Sequence, residues 1–314
     1  MDKISCVARE TSRREGKSPP ASCDYEGSAY RTEFWDAGRD YEDMAERIAL
    51  RALLPPTGDR LVEIGAGFGR LADEYAGYCQ VILLDPARSM LEQAQARLGH
   101  DPRFVFVAAS VYDLPLATAA CDTVVTVRML HHLADVPRAL DEIARVARPG
   151  GAYVLEYANK RHLKAIARYA LRWQAHDPFS REPYEFEELN FDFHPAYMTA
   201  ALHEAGFRVE ARRAVSFFRL GLLKRTIPVR LLARVDGWLQ RPLAPLAVTP
   251  SMFLRARSAH PGPATLARHL FRCRECRREG TLQPGDESLA LRCTACGARW
   301  SVRDGIHDFR EPLQ

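Results

Sequence analysis

The chain has 314 residues, 47% hydrophobic and 27% charged, with a formal net charge of +4. This is an ordinary soluble composition with enough apolar mass for one large domain or two. No run reaches the ~18 apolar residues of a membrane helix, and no apolar stretch of a secretory leader follows Met1, so a cytoplasmic location is expected. Residues 1–27 read as a disordered leader. Residues 28–54 carry helical spacing, with Tyr30, Phe34 and Trp35 followed by Tyr41, Met44, Ile48 and Ala52, and Pro55-Pro56-Thr57-Gly58 ends the pattern.

The next stretch, Leu61-Val62-Glu63-Ile64-Gly65-Ala66-Gly67-Phe68-Gly69-Arg70, reads as a buried strand running into a glycine turn. Glu63 is out of place in a purely structural strand. The glycines let the backbone turn sharply and let a ligand approach closely. A helix is expected from Leu71 to Tyr78. Strands follow at 81–84, 104–107, 122–127 and 152–157, alternating with helices that start near Ser89 and Pro137. Such alternation predicts an α/β fold, a Rossmann-like, seven-stranded, mostly parallel sheet flanked by helices. In these sheets ligands bind beyond the C-terminal strand ends. Arg161 to Gln174 reads as a basic helix, 175–190 as a polar loop, and 195–205 as a helix. Strands are expected at 207–218 and 247–257, with a helical pair broken at Pro228 between them.

Charge is uneven. From Gly206 to Gly280 there are sixteen Lys or Arg against four acids, so the remainder of the chain is net acidic. This 206–280 region suits RNA or another anionic surface, or a solvated face.

The glycine turn has the spacing G-x-G-x-G, and Arg70 stands where a dinucleotide fingerprint has its third glycine. Glu63 is a poor neighbour for a pyrophosphate and a good one for a cation. From about Tyr30 to Arg257 the chain resembles the class I S-adenosylmethionine-dependent methyltransferases, specifically the type 11 group. The resemblance rests on Glu63 to Gly69, Asp85 at the end of the second strand, and Ala109-Ser110-Val111-Tyr112-Asp113-Leu114-Pro115. It rests also on Cys121 to Val125 through Leu130-His131-His132-Leu133, and on Arg145 to Gly151. It implies a domain over 28–258 that binds S-adenosylmethionine through Glu63, Gly65, Ala66, Gly67, Gly69, Asp85, Pro86, Ser110, Val111 and Arg128. Asp85 would hold both ribose hydroxyls, although in isolation it also suits a helix N-cap. The family has Asp where Ser110 stands, so an adenine contact there would fall to the Val111 N–H. His131 and His132 are the candidate proton acceptors, with His194 as a further one. Tyr30, Trp35 and Tyr41 are candidates to close over the cofactor.

After a linker at 259–268, Cys273-x2-Cys276-x16-Cys293-x2-Cys296 has the spacing of a four-thiolate zinc ribbon over 269–314. The metal would supply folding energy to a segment too small for a large core. Cys6, Cys23, Cys79 and Cys121 are scattered, with no pairing implied. Leu270 to Pro312 resembles the small zinc-ribbon proteins that activate methyltransferases by adding a strand to their sheet. The expected function is methyl transfer to an O, N or C nucleophile of a small-molecule or lipid-like acceptor. The alternatives are an RNA or translation-related protein acceptor, with the ribbon as built-in activator, and a non-catalytic cofactor-binding module.

Overall fold

The computed structural model describes residues 7–8, 20–28, 35, 38–285 and 290–314. In chain order the elements are β1 (Val7–Ala8), β2 (Cys23–Asp24), α1 (Asp40–Leu53), β3 (Gly58–Ile64), β4 (Tyr78–Asp85), α2 (Arg88–Leu98), β5 (Phe104–Ala108), β6 (Cys121–Thr126), α3 (Val136–Val146) and β7 (Ala147–Ala158). There follow α4 (Leu163–Ala170), the hairpin β8 (Tyr184–Glu187) and β9 (Asn190–Asp192), α5 (Pro195–Glu204), β10 (Phe207–Val215), α6 (Gly221–Thr226), α7 (Val229–Gln240) and β11 (Ser251–Ser258). The tail forms β12 (Leu282–Pro284), β13 (Ala290–Cys293), β14 (Arg299–Arg303) and β15 (Ile306–Leu313).

Local sequence explains the main elements. α1 opens on Asp40, Glu42 and Asp43 and closes on Arg51, which matches its dipole. α3 starts at Asp135, whose side chain accepts from Arg138 N, with Pro137 in the first turn. All six residues of β6 are buried, as befits a central parallel strand.

The expected seven-stranded sheet is present in the order β5-β4-β3-β6-β7-β11-β10, and only β11 runs against the others. It does not stop there. β15 pairs in parallel with the outer edge of β5, through Ile306 opposite Phe106, His307 opposite Val107 and Asp308 opposite Ala108. β14, β13 and β12 then continue the sheet to eleven strands. An exposed strand edge is thereby covered by the chain's own tail. The cores merge as well. Trp300, Phe309, Cys273 and Cys293 join the cluster around Val62, Ile82 and Val107, and Ile306 joins the opposite one around Leu61, Val81 and Phe106. Polar contacts fix the junction: Arg272 reaches Glu142 at 3.0 Å, Arg274 reaches Asp113 at 2.9 Å, and Ala117 N donates to Leu270 O at 2.9 Å.

Several local expectations change. The 71–78 segment makes only a 3-10 turn at Ala72–Tyr75. The basic helix ends at Ala170, and part of the polar loop forms the β8–β9 hairpin. Residues 20–28, expected within a disordered leader, lie against the body. Ala134 N donates to Ala21 O at 3.2 Å, and Glu26 accepts from Arg88 N and Ser89 N at 2.8 and 2.9 Å. That carboxylate caps the start of α2. Cys23 is disulfide-bonded rather than free. Its strand pairs with Val7–Ala8. Tyr30 and Phe34 lie outside the described residues. Among the described residues no helix is long and apolar enough to cross a membrane.

Candidate cofactor and metal sites

A pocket opens beyond the C-terminal ends of β3, β4, β5 and β6. Its wall includes Glu63, Gly65, Ala66, Gly67, Asp85, Pro86, Ser110, Val111 and Arg128. The structure thus brings together all the expected cofactor residues except Gly69. Gly69 has φ +72° and is wedged behind the turn, where a Cβ would come within 3.2 Å of Leu83 and Leu98.

The turn is held from both sides. Gly65 N and Ala66 N donate to Leu84 O at 2.8 and 3.1 Å. Gly67 N donates to Asp85 Oδ2 at 2.7 Å, and Asp85 Oδ1 accepts from Ala87 N at 2.8 Å. Asp85 therefore ties the glycine turn to the start of α2. A Cβ on Gly65 would strike Met129 Cγ at 2.6 Å, whereas one on Gly67 (φ +52°) would meet nothing within 4 Å. The turn is tight underneath and open at Gly67, toward the pocket.

Glu63 is 3% exposed, and its Oε2 has no hydrogen-bond partner. Burial pushes its carboxyl up to about 8, against the opposing pull of Tyr75 and Arg70. A buried carboxylate with a free oxygen at a pocket wall suits a cationic group. Arg70 itself lies 3.8 Å over the Trp35 ring, pairs with Asp43, and reaches Glu46 at 2.7 Å. Arg128 reaches the other Glu46 oxygen at 2.9 Å. Burial opposes ionisation of Glu46, but Arg128 and Arg70 hold its carboxyl below the usual range. The two arginines thus build the wall from α1, and Trp35 completes it. Arg128 sits at φ +57°, where its N–H donates to Glu156 at 3.0 Å.

Ser110 caps the turn that follows β5, accepting from Tyr112 N at 3.3 Å. His132 lines the pocket, with Nδ1 3.3 Å from Leu189 O and Nε2 3.0 Å from the Tyr25 hydroxyl. These partners place the proton on Nδ1 and leave Nε2 to accept. Burial pushes His132 down to about 4 and His131 well below its usual value, so both rings are neutral at pH 7. The His131 ring lies 4.0 Å from that of His132, and its buried Nδ1 has no partner. His194 instead caps α5, accepting from Ala196 N at 3.1 Å, and Tyr41 bonds Asp236 away from the pocket.

Sequence reasoning missed the near wall. Ser22, Cys23 and Tyr25 of the N-terminal segment line the pocket together with Met90, Met129 and Leu133. The aromatic residue at 25 was the available signal.

At the tail, the Sγ atoms of Cys273, Cys276, Cys293 and Cys296 all lie within 4.8 Å of one another. Two of the sulfur pairs stand at 3.7 and 3.6 Å. A Zn–S distance of ~2.3 Å gives a tetrahedral edge of about 3.8 Å, so the cluster fits a four-thiolate metal site.

The basic 206–280 region does not form one face. Glu210 gathers Arg208, Arg255 and Arg257, Glu42 holds Lys224, and the junction consumes Arg272 and Arg274.

Residues 62–155 match a family model described as a methyltransferase domain. A stretch of 173 residues is 30% identical to a probable S-adenosylmethionine-dependent methyltransferase of Mycolicibacterium smegmatis, covering 55% of this chain and 59% of that one. A demethylmenaquinone methyltransferase of Clavibacter sepedonicus is 34% identical over 115 residues, 36% of this chain and 47% of its own. The chain thus spans about half the length of these curated relatives. One chain of a solved complex containing the Haloferax volcanii Trm112 methyltransferase activator shares the fold at 21% identity. The TM-score there is 0.52, over 74% of this chain and 97% of that one. Residues 62–155 thus carry a methyltransferase domain on a Rossmann-like α/β fold.

Proposed function

We propose that this protein transfers a methyl group from S-adenosylmethionine to an O, N or C nucleophile of a small-molecule or lipid-like acceptor, and that its zinc ribbon serves as a built-in sheet partner. The observation that carries the reading is the unpartnered, buried Oε2 of Glu63 beside the open face of Gly67. When bound, the cofactor supplies a methyl carbon already activated by a sulfonium. The chain supplies placement, which carries much of the rate of an in-line displacement. Glu63 offsets the ammonium. Asp85, fixed by two backbone amides on the pocket wall, would face the ribose hydroxyls. Ala66, Pro86, Ser110 and Val111 border the nucleoside, the last offering its N–H. Met129, Leu133 and Trp35 exclude water. Where the acceptor must lose a proton, His132, neutral at pH 7 and on the pocket wall, takes it, whereas His131 does not line the pocket.

The relative named a demethylmenaquinone methyltransferase supports a small-molecule acceptor. The parallel pairing of β15 with β5 supports the activator role of the ribbon. The four thiolates suit structural zinc, with no ligand position left open for chemistry.

The test is methyl-labelled cofactor offered with separated extract fractions of small molecules, lipids, RNA and protein. Label in the first two, strongly reduced in Glu63→Gln, is expected. Label in RNA or protein overturns the acceptor class, and cofactor binding with no label anywhere identifies a non-catalytic module.

A further inference from the structure

The acceptor end of the sheet carries a surface that the reading above does not use. Three strand ends locate it. Ala158 of β7 is opposite Ser251 of β11, and Ser251 is opposite Val215 of β10. The segments that leave β7 and β10 therefore emerge side by side, on the edge where Glu63 and the glycine turn leave β3. The first segment contains α4, of which only Ala165 is buried. Leu163, Leu171 and Trp173 are 65%, 56% and 75% exposed. The second contains α6, which buries no residue; Leu220 at its N-cap and Leu222 within it are 64% and 74% exposed. Leu231 and Trp238 extend this apolar stripe along α7.

Cations interleave with these side chains. No Asp or Glu occurs from Lys160 to His176 or from Ser216 to Val235. Lys164, Arg168 and Arg172 in the first segment are exposed, as are Arg225, Arg230 and Arg234 in the second, and none takes part in an ion pair among the described residues. Of the acids nearby, Glu42 holds Lys224 of α6, and Asp177, Glu182 and Asp192 of the hairpin region act on Lys160, which is buried.

We propose that this surface, formed by α4 with its 171–173 extension and by α6 and α7, docks the acceptor end of the protein onto a bilayer bearing anionic headgroups. Exposed apolar side chains set among unpaired Lys and Arg are the pattern of an interfacial element, with the apolar groups entering the acyl boundary and the cations meeting the headgroups. Nucleic acid would use the cations and aromatics but has no use for five exposed leucines. A second copy of the chain would place like charges face to face. The proposal rests on the methyltransferase reading only for its purpose, which is to present the acceptor pocket to a membrane-resident substrate.

Trp173 and Trp238 make the surface observable, because the other two tryptophans, Trp35 and Trp300, are 9% and 1% exposed. The experiment uses the full zinc-loaded chain with vesicles of phosphatidylcholine alone, or with about a third phosphatidylglycerol. Expected are flotation with the anionic vesicles only, a blue shift in tryptophan emission, and quenching by brominated lipid that is lost in the double variant Trp173→Phe/Trp238→Phe. The double variant Lys164→Glu/Arg168→Glu should lower partitioning by about tenfold or more, since each cation near an anionic surface contributes about fivefold. Absent flotation in low salt, equal binding to neutral vesicles, undiminished binding of the charge variant, or binding of RNA in place of vesicles would each overturn the proposal. Titration of the same samples with S-adenosylhomocysteine keeps the two readings apart. Intact cofactor binding without flotation sinks only the docking surface, and flotation without cofactor binding sinks only the methyltransferase reading.

Discussion

Arg310, near the end of the last ribbon strand, donates to Glu26 Oε2 at 2.9 Å, and Glu26 sits in the segment that lines the near wall of the pocket. The same Glu26 carboxylate caps α2 through Arg88 N and Ser89 N, immediately after Asp85 and Pro86. One side chain thus joins the tail, the N-terminal segment and the cofactor turn. Arg310→Ala removes partly exposed ion pairs to Glu26 and Asp308, for each of which ~0.2–1 kcal/mol is typical. Glu26→Ala also removes a helix cap, for which about 1 kcal/mol is typical. The expected order in a thermal melt, and in affinity for S-adenosylhomocysteine, is wild type, then Arg310→Ala, then Glu26→Ala.

Removing the metal should reach further than the ribbon. β15 covers the edge of β5, and Ile306 and Phe309 are fully buried in the cores of the main domain. Chelation, or Cys276→Ser, should expose that edge, lower the melting temperature of the whole chain and promote aggregation. Circular dichroism and light scattering read this. A main domain that melts unchanged after the metal is stripped would show the two units to be independent.

The glycine turn separates folding from binding. Gly65→Ala places a Cβ 2.6 Å from Met129 Cγ at φ +78°, so it should destabilise by roughly 1–3 kcal/mol. Gly67→Ala meets no protein atom within 4 Å. It should cost about 1 kcal/mol for its backbone conformation and lose most of its cofactor affinity, because the new methyl points into the pocket. Melts and titrations on the two variants should therefore rank them in opposite order.

Glu63 gives a proton signature. Burial first of all lifts its carboxyl to about 8 in the folded protein, above the usual carboxylate range. Between its unfolded value near 4.5 and that value the folded state binds the extra proton, so this group's contribution to stability declines as pH rises through the window. An ammonium beside it favours the ionised form, so cofactor binding at pH 7 should release a proton. Calorimetry in two buffers of different ionisation enthalpy should show that release in wild type and a smaller one in Glu63→Gln. Equal release in both would remove Glu63 from the ammonium site.

Much of the parallel core was legible because its strands are short buried runs bounded by turn residues, and because Glu63, Asp85 and the glycines are chemically out of place unless a ligand is present. The Cys spacing was equally direct. Three things were hidden. Arg70 looked like a missing glycine but is a wall residue stacked on Trp35 and paired with α1. The basic 206–280 region looked like one surface, yet Glu210 within it and Glu42, Asp113 and Glu142 from distant parts of the chain pair with several of its cations. The tail's resemblance to strand-adding activators suggested a sheet contact, but the choice of β5 as the edge that β15 joins left no pattern in either strand, since a parallel pairing across some 200 residues is set by the tertiary fold.

The central claim is that the pocket between the glycine turn, Asp85 and Glu63 holds S-adenosylmethionine. Calorimetric titration of the full zinc-loaded chain with S-adenosylhomocysteine tests it most directly. The account predicts one site per chain, weakened about tenfold or more in Asp85→Asn, whose amide also gives up one of the two backbone bonds that Asp85 accepts, so a melt is run beside the titration to show that the variant is folded. A folded protein that gives no heat of binding, or an Asp85→Asn variant that binds as tightly as wild type, would contradict it.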